Sequence, residues 1–147
     1  IRRPPRSTQG VSSAASDVYK RQALDWCIIN NITEITILGA GGIREDHALG
    51  NLHILAEYQG MVELIMVTNH ATINCEQGNR IISSQPGQAI SIISIHPVES
   101  ITVSGLKYPM VNQRLLPSSR AICNEALNHE FSLDTSDPVW LFMNHTD

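Results

Sequence analysis

The spacing of apolar residues predicts alternating helices and strands over the first part of the chain. Residues 23–30 carry apolar side chains at helical spacing and predict the end of a helix, and residues 46–58 predict a second helix. Residues 35–38 and 63–68 are short apolar runs rich in β-branched side chains, which predicts two buried strands. Helix, strand, helix, strand is the order of a parallel α/β layer.

Residues beyond position 69 show no helical spacing and predict a β domain. Their short apolar runs are separated by turn residues, an arrangement typical of an all-β sandwich or barrel. The predicted fold class is therefore α/β plus all-β, with a remnant of a parallel α/β domain at 23–69 and a C-terminal β-sandwich at 70–147. The predicted strands of the sandwich are 71–75, 80–83, 88–95, 99–103, 108–111, 121–123, 126–133 and 139–143.

A glycine turn followed by charged residues comes directly after the first predicted strand. Glycines permit positive φ values and close approach of the backbone, so the turn predicts a tight junction between strand and helix. In open α/β sheets, ligands bind beyond the carboxyl ends of the strands, which is where this turn would lie. The turn contains Gly39, Gly41 and Gly42, and the charged residues are Arg44, Glu45, Asp46 and His47.

The turn matches neither of two common phosphate-binding motifs. A dinucleotide fingerprint needs a third glycine where Arg44 stands, and a P-loop needs a lysine that is absent. A phosphate site is still possible if a divalent cation bridges Asp46 to the phosphate oxygens while Arg44 clamps them. In the alternative interpretation, Asp46 only caps the helix and Arg44 pairs with Glu45 or Glu57.

The charge distribution argues against nucleic acid as a partner. The 147 residues carry a formal net charge of −4, but five of the ten basic residues lie in the first 22 positions. The remaining sequence holds five basic and thirteen acidic residues, and such an acidic body does not neutralise a phosphate backbone. Three widely spaced cysteines and the lack of a long apolar run predict a cytoplasmic protein without a membrane span.

Residues 1–22 differ from the rest in composition and lack an apolar face. The segment is basic and rich in serine, has no initiator Met, and resembles translated adapter sequence joined to a gene fragment. We therefore predict that residues 1–22 are non-native and disordered, and that the natural protein begins upstream.

Three ordered motifs resemble the signature of thiamine pyrophosphokinases. The first is G-A-x-G-x-R-x-D-H followed by L-x-N, here from Gly39 to Asn51. The second is Gly105-Leu-Lys-Tyr108, and the third is Cys123-Asn124-Glu125. The likeness extends from about Ala23 to Met143, and three motifs in the right order are far more specific than any one of them.

The resemblance implies an enzyme that transfers pyrophosphate from ATP to thiamine, giving thiamine diphosphate and AMP with Mg²⁺. It implies a nucleotide-binding catalytic domain at 23–69, a thiamine-binding β-sandwich at 70–147, and a bacterial homodimer with active sites between subunits. The implied catalytic residues are Arg44, Asp46 and His47, with Asp46 as the metal ligand. Nucleotide binding is assigned to Gly39, Gly41, Gly42 and Arg44, and thiamine binding to Cys123, Asn124 and Glu125.

Two departures from the family pattern bear on activity. Cys123 stands where the family usually has Ser, so a strong hydroxyl contact is replaced by a weak thiol contact. The acidic motifs that precede the first helix in the family are absent, and we therefore expect this chain to be inactive even if its parent is active. Trp26 is predicted to be a helix core residue, and Lys107 is either a cation facing the substrate or a solvated strand lysine.

Two other functions remain as alternatives. One is a non-catalytic β-sandwich module that binds a small molecule and carries a structural α/β appendage. The other is a different ATP-dependent transferase with the same α/β half.

Overall fold

The computed structural model describes residues 13–41 and 44–145, with the side chains of residues 13–17 left undescribed. Two helices and eight strands lie in these ranges, and one hydrogen-bonded mixed sheet contains all of the strands. Neither of the two helices in this part of the chain is long and apolar enough to cross a membrane. In chain order the elements are α1 (Ser13–Ile29), β1 (Glu34–Leu38), α2 (Glu45–Glu57), β2 (Glu63–Val67), β3 (Ala71–Ser83), β4 (Ala89–Ser94), β5 (Val98–Ser104), β6 (Met110–Leu115), β7 (Asn124–Glu125) and β8 (Glu130–Asn144).

Helix α1 begins well before the predicted helix end at residues 23–30. We predicted disorder for residues 1–22, whereas residues 13–22 form the first part of this helix, and residues 1–12 lie outside the described residues. Polar contacts hold the helix against α2: Arg21 donates to both carboxylate oxygens of Glu57, at 2.9 and 2.8 Å. The Tyr58 hydroxyl donates to Asp25 at 2.7 Å. These contacts are polar and lie outside the apolar pattern on which the prediction rested.

Strands β1 and β2 are parallel, as the helix–strand order predicted, with Ile35 opposite Leu64. Strand β2 then pairs in antiparallel fashion with β3, where Met66 lies opposite Ile73. The parallel pair and the strands that follow therefore belong to one continuous sheet. The predicted domain boundary at residues 69–70 falls in the connection between β2 and β3.

Two long strands replace four of the predicted short ones. Residues 71–75 and 80–83 are parts of β3, and 139–143 and part of 126–133 belong to β8. The two strands pair from Ala71 opposite Asn144 to Ser83 opposite Glu130, with a register shift between Glu76 and Gly78. The turn residues near 77–79 and 137–138 thus mark a bulge in a continuous ladder, not chain reversals.

Strand β8 organises the sandwich-like second part of the fold. It pairs with β3 along one edge, and its other edge pairs with β5 in its first half and with β4 in its second half. Bending at the bulge folds the sheet over an apolar core contributed mainly by β4, β5 and β8. An apolar core lies among the strands that were predicted to form a β-sandwich, but these strands belong to one hydrogen-bonded sheet joined through β8.

A second apolar core lies between the helices and the first strands. It includes Leu24, Ile54, Leu55 and Trp140, so a residue of β8 packs into the helical layer. Trp140 Nε1 donates to the carbonyl of Leu52 in α2 at 2.9 Å. The prediction for Trp26 is wrong, because its side chain is 61% exposed on α1.

Candidate functional site

The glycine turn closes the carboxyl ends of β1 and β2. Gly39 has a φ of +69°, and its N–H donates to the carbonyl of Val67 at 3.3 Å. A Cβ built on Gly41 would lie 3.1 Å from Cβ of Thr68, which is tighter than ordinary packing. Gly39 is thus required for its backbone angle and Gly41 for close approach of the neighbouring strand. Gly42 lies outside the described residues.

Buried Asn51 fastens this turn to both helices. Its Nδ2 donates to the carbonyl of Ala40 at 2.7 Å, and its Oδ1 accepts from Lys20 Nζ of α1 at 2.6 Å. Asn51 is the last residue of the first motif, one that the sequence marked without a role. Its amide donates a hydrogen bond to the carbonyl of buried Ala40, which explains the need for an amide side chain at this position.

Arg44 and Asp46 form an exposed bidentate ion pair at the start of α2. Arg44 Nε donates to Asp46 Oδ1 at 3.1 Å, and its Nη2 donates to Oδ2 at 2.5 Å. The hydrogen bond from Arg44 lowers the pKa of the Asp46 carboxyl, and the same bond raises the pKa of Arg44. Because the helix cap is Arg44, with no side-chain cap hydrogen bond, the alternative in which Asp46 caps the helix and Arg44 pairs with Glu45 or Glu57 is wrong.

His47 follows this pair and is half-buried. Its backbone N–H donates to Asp46 Oδ1 at 3.0 Å, which turns the carboxylate toward the first turn of α2. Its Nε2 is shielded from solvent and has no hydrogen-bond partner among the described residues. Such an unsatisfied ring nitrogen is a plain candidate for contact with a bound group.

A cavity of about 550 Å³ opens beside the glycine turn. Its size is in the usual range for small-molecule sites, and it lies at the carboxyl ends of β1 and β2, where open α/β sheets bind ligands. Arg44, Asp46 and His47 are not part of its lining. The lining includes Gly39, Ala40, Gly41, Thr68, His70 and Asn144.

The second and third sequence motifs are held together by main-chain and side-chain bonds. Asn124 donates from Nδ2 to the carbonyl of Tyr108 at 2.7 Å and accepts the Tyr108 N–H at Oδ1 at 3.0 Å. Lys107 Nζ contacts Glu125 Oε2 at 3.0 Å, which raises the pKa of Lys107. We call Gly105–Tyr108 and Cys123–Glu125 together the sandwich motif pair.

The roles of the three predicted thiamine-binding residues differ in this arrangement. Cys123 is exposed and has a φ of +59°, and its N–H donates to Ser91 Oγ at 3.0 Å. Asn124 is buried and its side-chain amide is occupied by Tyr108. The Glu125 carboxylate is partly exposed and paired with Lys107, so Lys107 is neither free in solvent nor unpaired.

Tyr108 is a candidate that sequence reasoning missed. Its ring is 63% exposed, although both of its main-chain polar groups are fixed by buried Asn124. An exposed aromatic ring on a fixed backbone is suited to stacking against a flat ligand. The available signal was its position at the end of the second motif, in which only Lys107 had been considered for a role.

Among the described residues, none of the sandwich motif pair lines the cavity beside the glycine turn. Strand β4 links the two groups of residues. Asn144, which lines the glycine-turn cavity, donates to the carbonyl of Ala89 in β4 at 3.1 Å. Ala89 in turn pairs with Glu125. The predicted catalytic and thiamine-binding residues are thus separate groups on one connected sheet.

A metal ion held by protein groups alone would need several ligating side chains close together. No group of three His, Cys, Asp or Glu side chains is placed to hold a metal within residues 13–41 and 44–145. Asp46 does supply an accessible carboxylate, and Mg²⁺ commonly takes only one or two protein carboxylates, with phosphate oxygens and water completing its coordination. A magnesium ion at Asp46 therefore fits only together with a phosphate ligand.

Known proteins are similar to this chain both in its helical first part and in its β-rich second part. Residues 68–140 match the family described as thiamin pyrophosphokinase, vitamin B1 binding domain. Thiamine pyrophosphokinase of Bacillus subtilis (strain 168) is 29% identical over 132 residues, which cover 85% of this chain and 61% of that protein. The chain therefore spans about three-fifths of the length of this relative.

Solved structures of such proteins share the fold. A crystal structure of thiamine pyrophosphokinase from Bacillus subtilis superposes with a TM-score of 0.77 and 25% identity, covering 87% of this chain and 62% of that one. The thiamin pyrophosphokinase from Geobacillus thermodenitrificans gives a TM-score of 0.75 at 24% identity, covering 87% of this chain and 61% of that one. The second likeness supports the fold alone.

The fold and the matched region define residues 68–140 as a domain of the vitamin B1 binding class. The first motif lies ahead of this domain, and the similarity to the Bacillus subtilis protein and its structure extends over more than four-fifths of the chain. Over most of its length the chain is therefore similar to thiamine pyrophosphokinases.

Proposed function

We propose that this chain serves the transfer of pyrophosphate from ATP to thiamine, which gives thiamine diphosphate and AMP. The observation that carries the proposal is the sandwich motif pair inside the matched vitamin B1 binding region. There, two motifs separated in sequence are joined through Asn124, Tyr108, Lys107 and Glu125. Related proteins named thiamine pyrophosphokinase support the same activity.

On the thiamine side, Glu125 and Tyr108 are the groups that suit the substrate. Thiamine combines a cationic thiazolium ring with a flat aminopyrimidine, so a carboxylate and an aromatic ring are complementary to it. Asn124 is assigned a positioning role, since both of its amide atoms are bonded to Tyr108. Cys123 offers its exposed thiol as a weak hydrogen-bonding group.

On the phosphate side, Arg44 is the group that would contact the triphosphate. Gly39, Gly41 and Gly42 would allow the backbone to approach the nucleotide, and His47 would contribute its unsatisfied ring nitrogen. Asp46 would hold Mg²⁺ together with phosphate oxygens, and the ion would neutralise their charge. Arg44 must first leave Asp46, which costs little for an exposed ion pair.

A homodimer with active sites between subunits remains part of the proposal. In one chain, the sandwich motif pair does not line the glycine-turn cavity. In a dimer, the residues proposed to bind phosphate on one subunit could face the residues proposed to bind thiamine on the other. We also retain a cytoplasmic location, and no nucleic acid or membrane partner, as predictions.

The thiamine half of the proposal is tested by isothermal titration of the 147-residue chain with thiamine. We expect saturable binding that weakens about tenfold in Glu125→Gln, because a charge-assisted contact is lost. Asp134→Asn is the matched control, since this exposed carboxylate of β8 lies outside the motif pair. Absence of thiamine binding, or equal affinity in the chain and in Glu125→Gln, would reject the site.

The phosphate half is tested by measuring AMP released from ATP by the full-length parent on addition of thiamine and Mg²⁺. Thiamine-dependent AMP formation that is lost in Arg44→Ala and Asp46→Asn, with unchanged circular dichroism, would support these catalytic roles. Full AMP formation in both variants would reject them.

A non-catalytic thiamine-binding module is the second candidate function. It is favoured by one observation, the mutual engagement of Arg44 and Asp46, which leaves neither charge free to act. Thiamine binding without any thiamine-dependent AMP release by the full-length parent would support the module, since both functions predict that this chain is inactive by itself.

A further inference from the structure

A second cavity lies at the end of the sheet opposite the glycine turn. Its volume is about 540 Å³, and it is bordered by Thr33 before β1 and Glu63 at the start of β2. We call it the amino-end cavity. It shares no lining residue with the cavity beside the glycine turn. None of the motifs assigned to thiamine or ATP contributes to it.

The walls of the amino-end cavity are polar and apolar in equal parts. They come from the end of α2, the segment leading into β2, and the part of β3 that extends beyond its pairing with β2. A ligand there would bury an apolar body against these walls, as small-molecule sites usually do. The apolar lining residues are Leu55, Met61, Val62, Leu64, Ile81 and Ile82.

Two neighbouring residues of β3 place hydrogen-bond acceptors in this cavity. The Asn74 Oδ1 atom is shielded and has no hydrogen-bond partner within the described residues. The Glu76 side chain is only 18% exposed. Asn74 Nδ2 donates to Glu76 Oε1 over a long distance of 3.5 Å. Burial, which removes water from the carboxylate, also raises the pKa of Glu76. The acceptors are therefore incompletely satisfied.

The existing cation in the cavity binds Glu76 weakly. Arg80 Nε lies 3.4 Å from Glu76 Oε2, in a single contact, and the Arg80 side chain is 56% exposed. A single contact of this length holds the exposed Arg80 side chain only weakly against Glu76. With Glu63 also in the lining, the carboxylates outnumber Arg80 by two to one.

We propose that the amino-end cavity binds a small organic cation with N–H donors and an apolar body, such as a protonated amine or an amidinium. Its N–H groups donate to Glu76 and to Asn74 Oδ1, and its apolar part packs between β3 and the segment before β2. A bare metal ion is disfavoured, because no three metal-ligating side chains converge anywhere in the described ranges. The site is independent of the thiamine and ATP sites proposed above.

Benzamidine is the probe for this site, and neutral benzamide of the same shape is its matched control. Both are titrated into the ¹⁵N-labelled chain. We expect benzamidine to shift the amide resonances of residues 74–82 and to bind roughly tenfold or more tightly than benzamide, because a charge-assisted contact to Glu76 is added. Equal binding of the two compounds, or shifts elsewhere only, would overturn the proposal.

Two variants test the named side chains in opposite directions. Glu76→Gln should weaken benzamidine about tenfold and leave benzamide unchanged. Arg80→Met, at an exposed side chain, should tighten benzamidine about twofold or more by removing the competing cation. Glu99→Gln on distant β5 is the control and should change neither affinity. Unchanged benzamidine affinity in Arg80→Met and Glu76→Gln would refute the assignment, and Arg80→Met alone decides if Glu76→Gln does not fold.

Discussion

Asn124 satisfies both main-chain polar groups of Tyr108, donating to its carbonyl at 2.7 Å and accepting its N–H at 3.0 Å. The side-chain amide of Asn124 thus makes the two hydrogen bonds that a neighbouring strand would make to the backbone of Tyr108. The asparagine is buried, while the tyrosine ring it holds is exposed. Asn124, which the motif suggested as a ligand, therefore supports Tyr108, and the proposed thiamine site uses the exposed Tyr108 ring for contact.

Replacing Asn124 tests this relationship. Asn124→Ala should lower the free energy of unfolding by about 2 kcal/mol, because two partly buried backbone groups lose their partner. Asn128→Ala changes an exposed asparagine three positions beyond Glu125 and should stay within about 0.5 kcal/mol of the unchanged chain. Urea denaturation followed by circular dichroism measures both. Equal stability of the two variants would contradict the clamp.

Gly105, the first residue of the second motif, is constrained both by its backbone angle and by close packing against Phe131. Its φ is +87°, and a Cβ there would lie 3.1 Å from Cα and Cβ of Phe131. Gly105→Ala should therefore cost about 2–4 kcal/mol, from backbone strain and from overpacking. Gly60→Ala should cost only about 1–2 kcal/mol, because Gly60 has a φ of +79° but no atom within 4 Å of the added Cβ. Urea melts that rank the two variants the other way would show that contact with Phe131 is unimportant.

The first part of the fold was largely predictable, and the long strands were not. Apolar spacing located β1, α2 and β2 to within one or two residues, since each is a short element with a local pattern. Strands β3 and β8 were each divided at turn residues. Pro138 is tolerated because it lies between the β8 segment paired with β4 and the segment paired with β5, where neither ladder needs its N–H. That partner geometry is not visible in a single sequence.

The candidate site was predictable as a set of motifs but not as a set of roles. Arg44 and Asp46 were expected beside the glycine turn, and they lie there at the start of α2. The roles of Asn51 and Tyr108 follow from hydrogen bonds to residues distant in sequence. Asn51 bonds to Ala40, 11 positions away, and Tyr108 is held by Asn124, 16 positions away. Motif spacing identifies such residues, whereas only the fold shows what each side chain contacts.

Glu76 should give stability an unusual pH dependence. Burial raises the pKa of its carboxyl above 4.5 in the folded state, so the folded chain holds this proton more tightly than the unfolded chain. Its contribution is therefore fully present below about pH 4.5 and is lost as the pH rises through the raised folded value. Glu76→Gln, which resembles the protonated form, should be more stable than the unchanged chain at pH 7 and close to it at pH 4.

Asp46 supplies the control of opposite sign. Arg44 lowers the pKa of Asp46 below 3.8, so that its contribution is present above this pH and is lost as the pH falls. Asp46→Asn should therefore reduce stability at pH 7 and have a smaller effect near pH 3. Urea melts of both variants across this range measure the two differences. A Glu76→Gln variant that is less stable at pH 7 than at pH 4, relative to the unchanged chain, would contradict the assignment.

Trp140 of β8 packs into the core between the helices and the first strands, and its removal should weaken the attachment of α2 to the sheet. Its Nε1 donates to the Leu52 carbonyl at 2.9 Å, and its ring meets His53 edge-on at a centroid distance of 5.2 Å. Trp140→Phe should cost about 1–3 kcal/mol, because it loses this hydrogen bond and leaves unfilled space in a buried position. Trp26→Phe, on the exposed face of α1, should change stability by no more than about 0.5 kcal/mol. The Trp26→Phe chain also leaves Trp140 as its single tryptophan, so acrylamide quenching of its fluorescence reports burial directly. Strong quenching in that variant, or equal stability of the two variants, would show that Trp140 does not join α2 to β8.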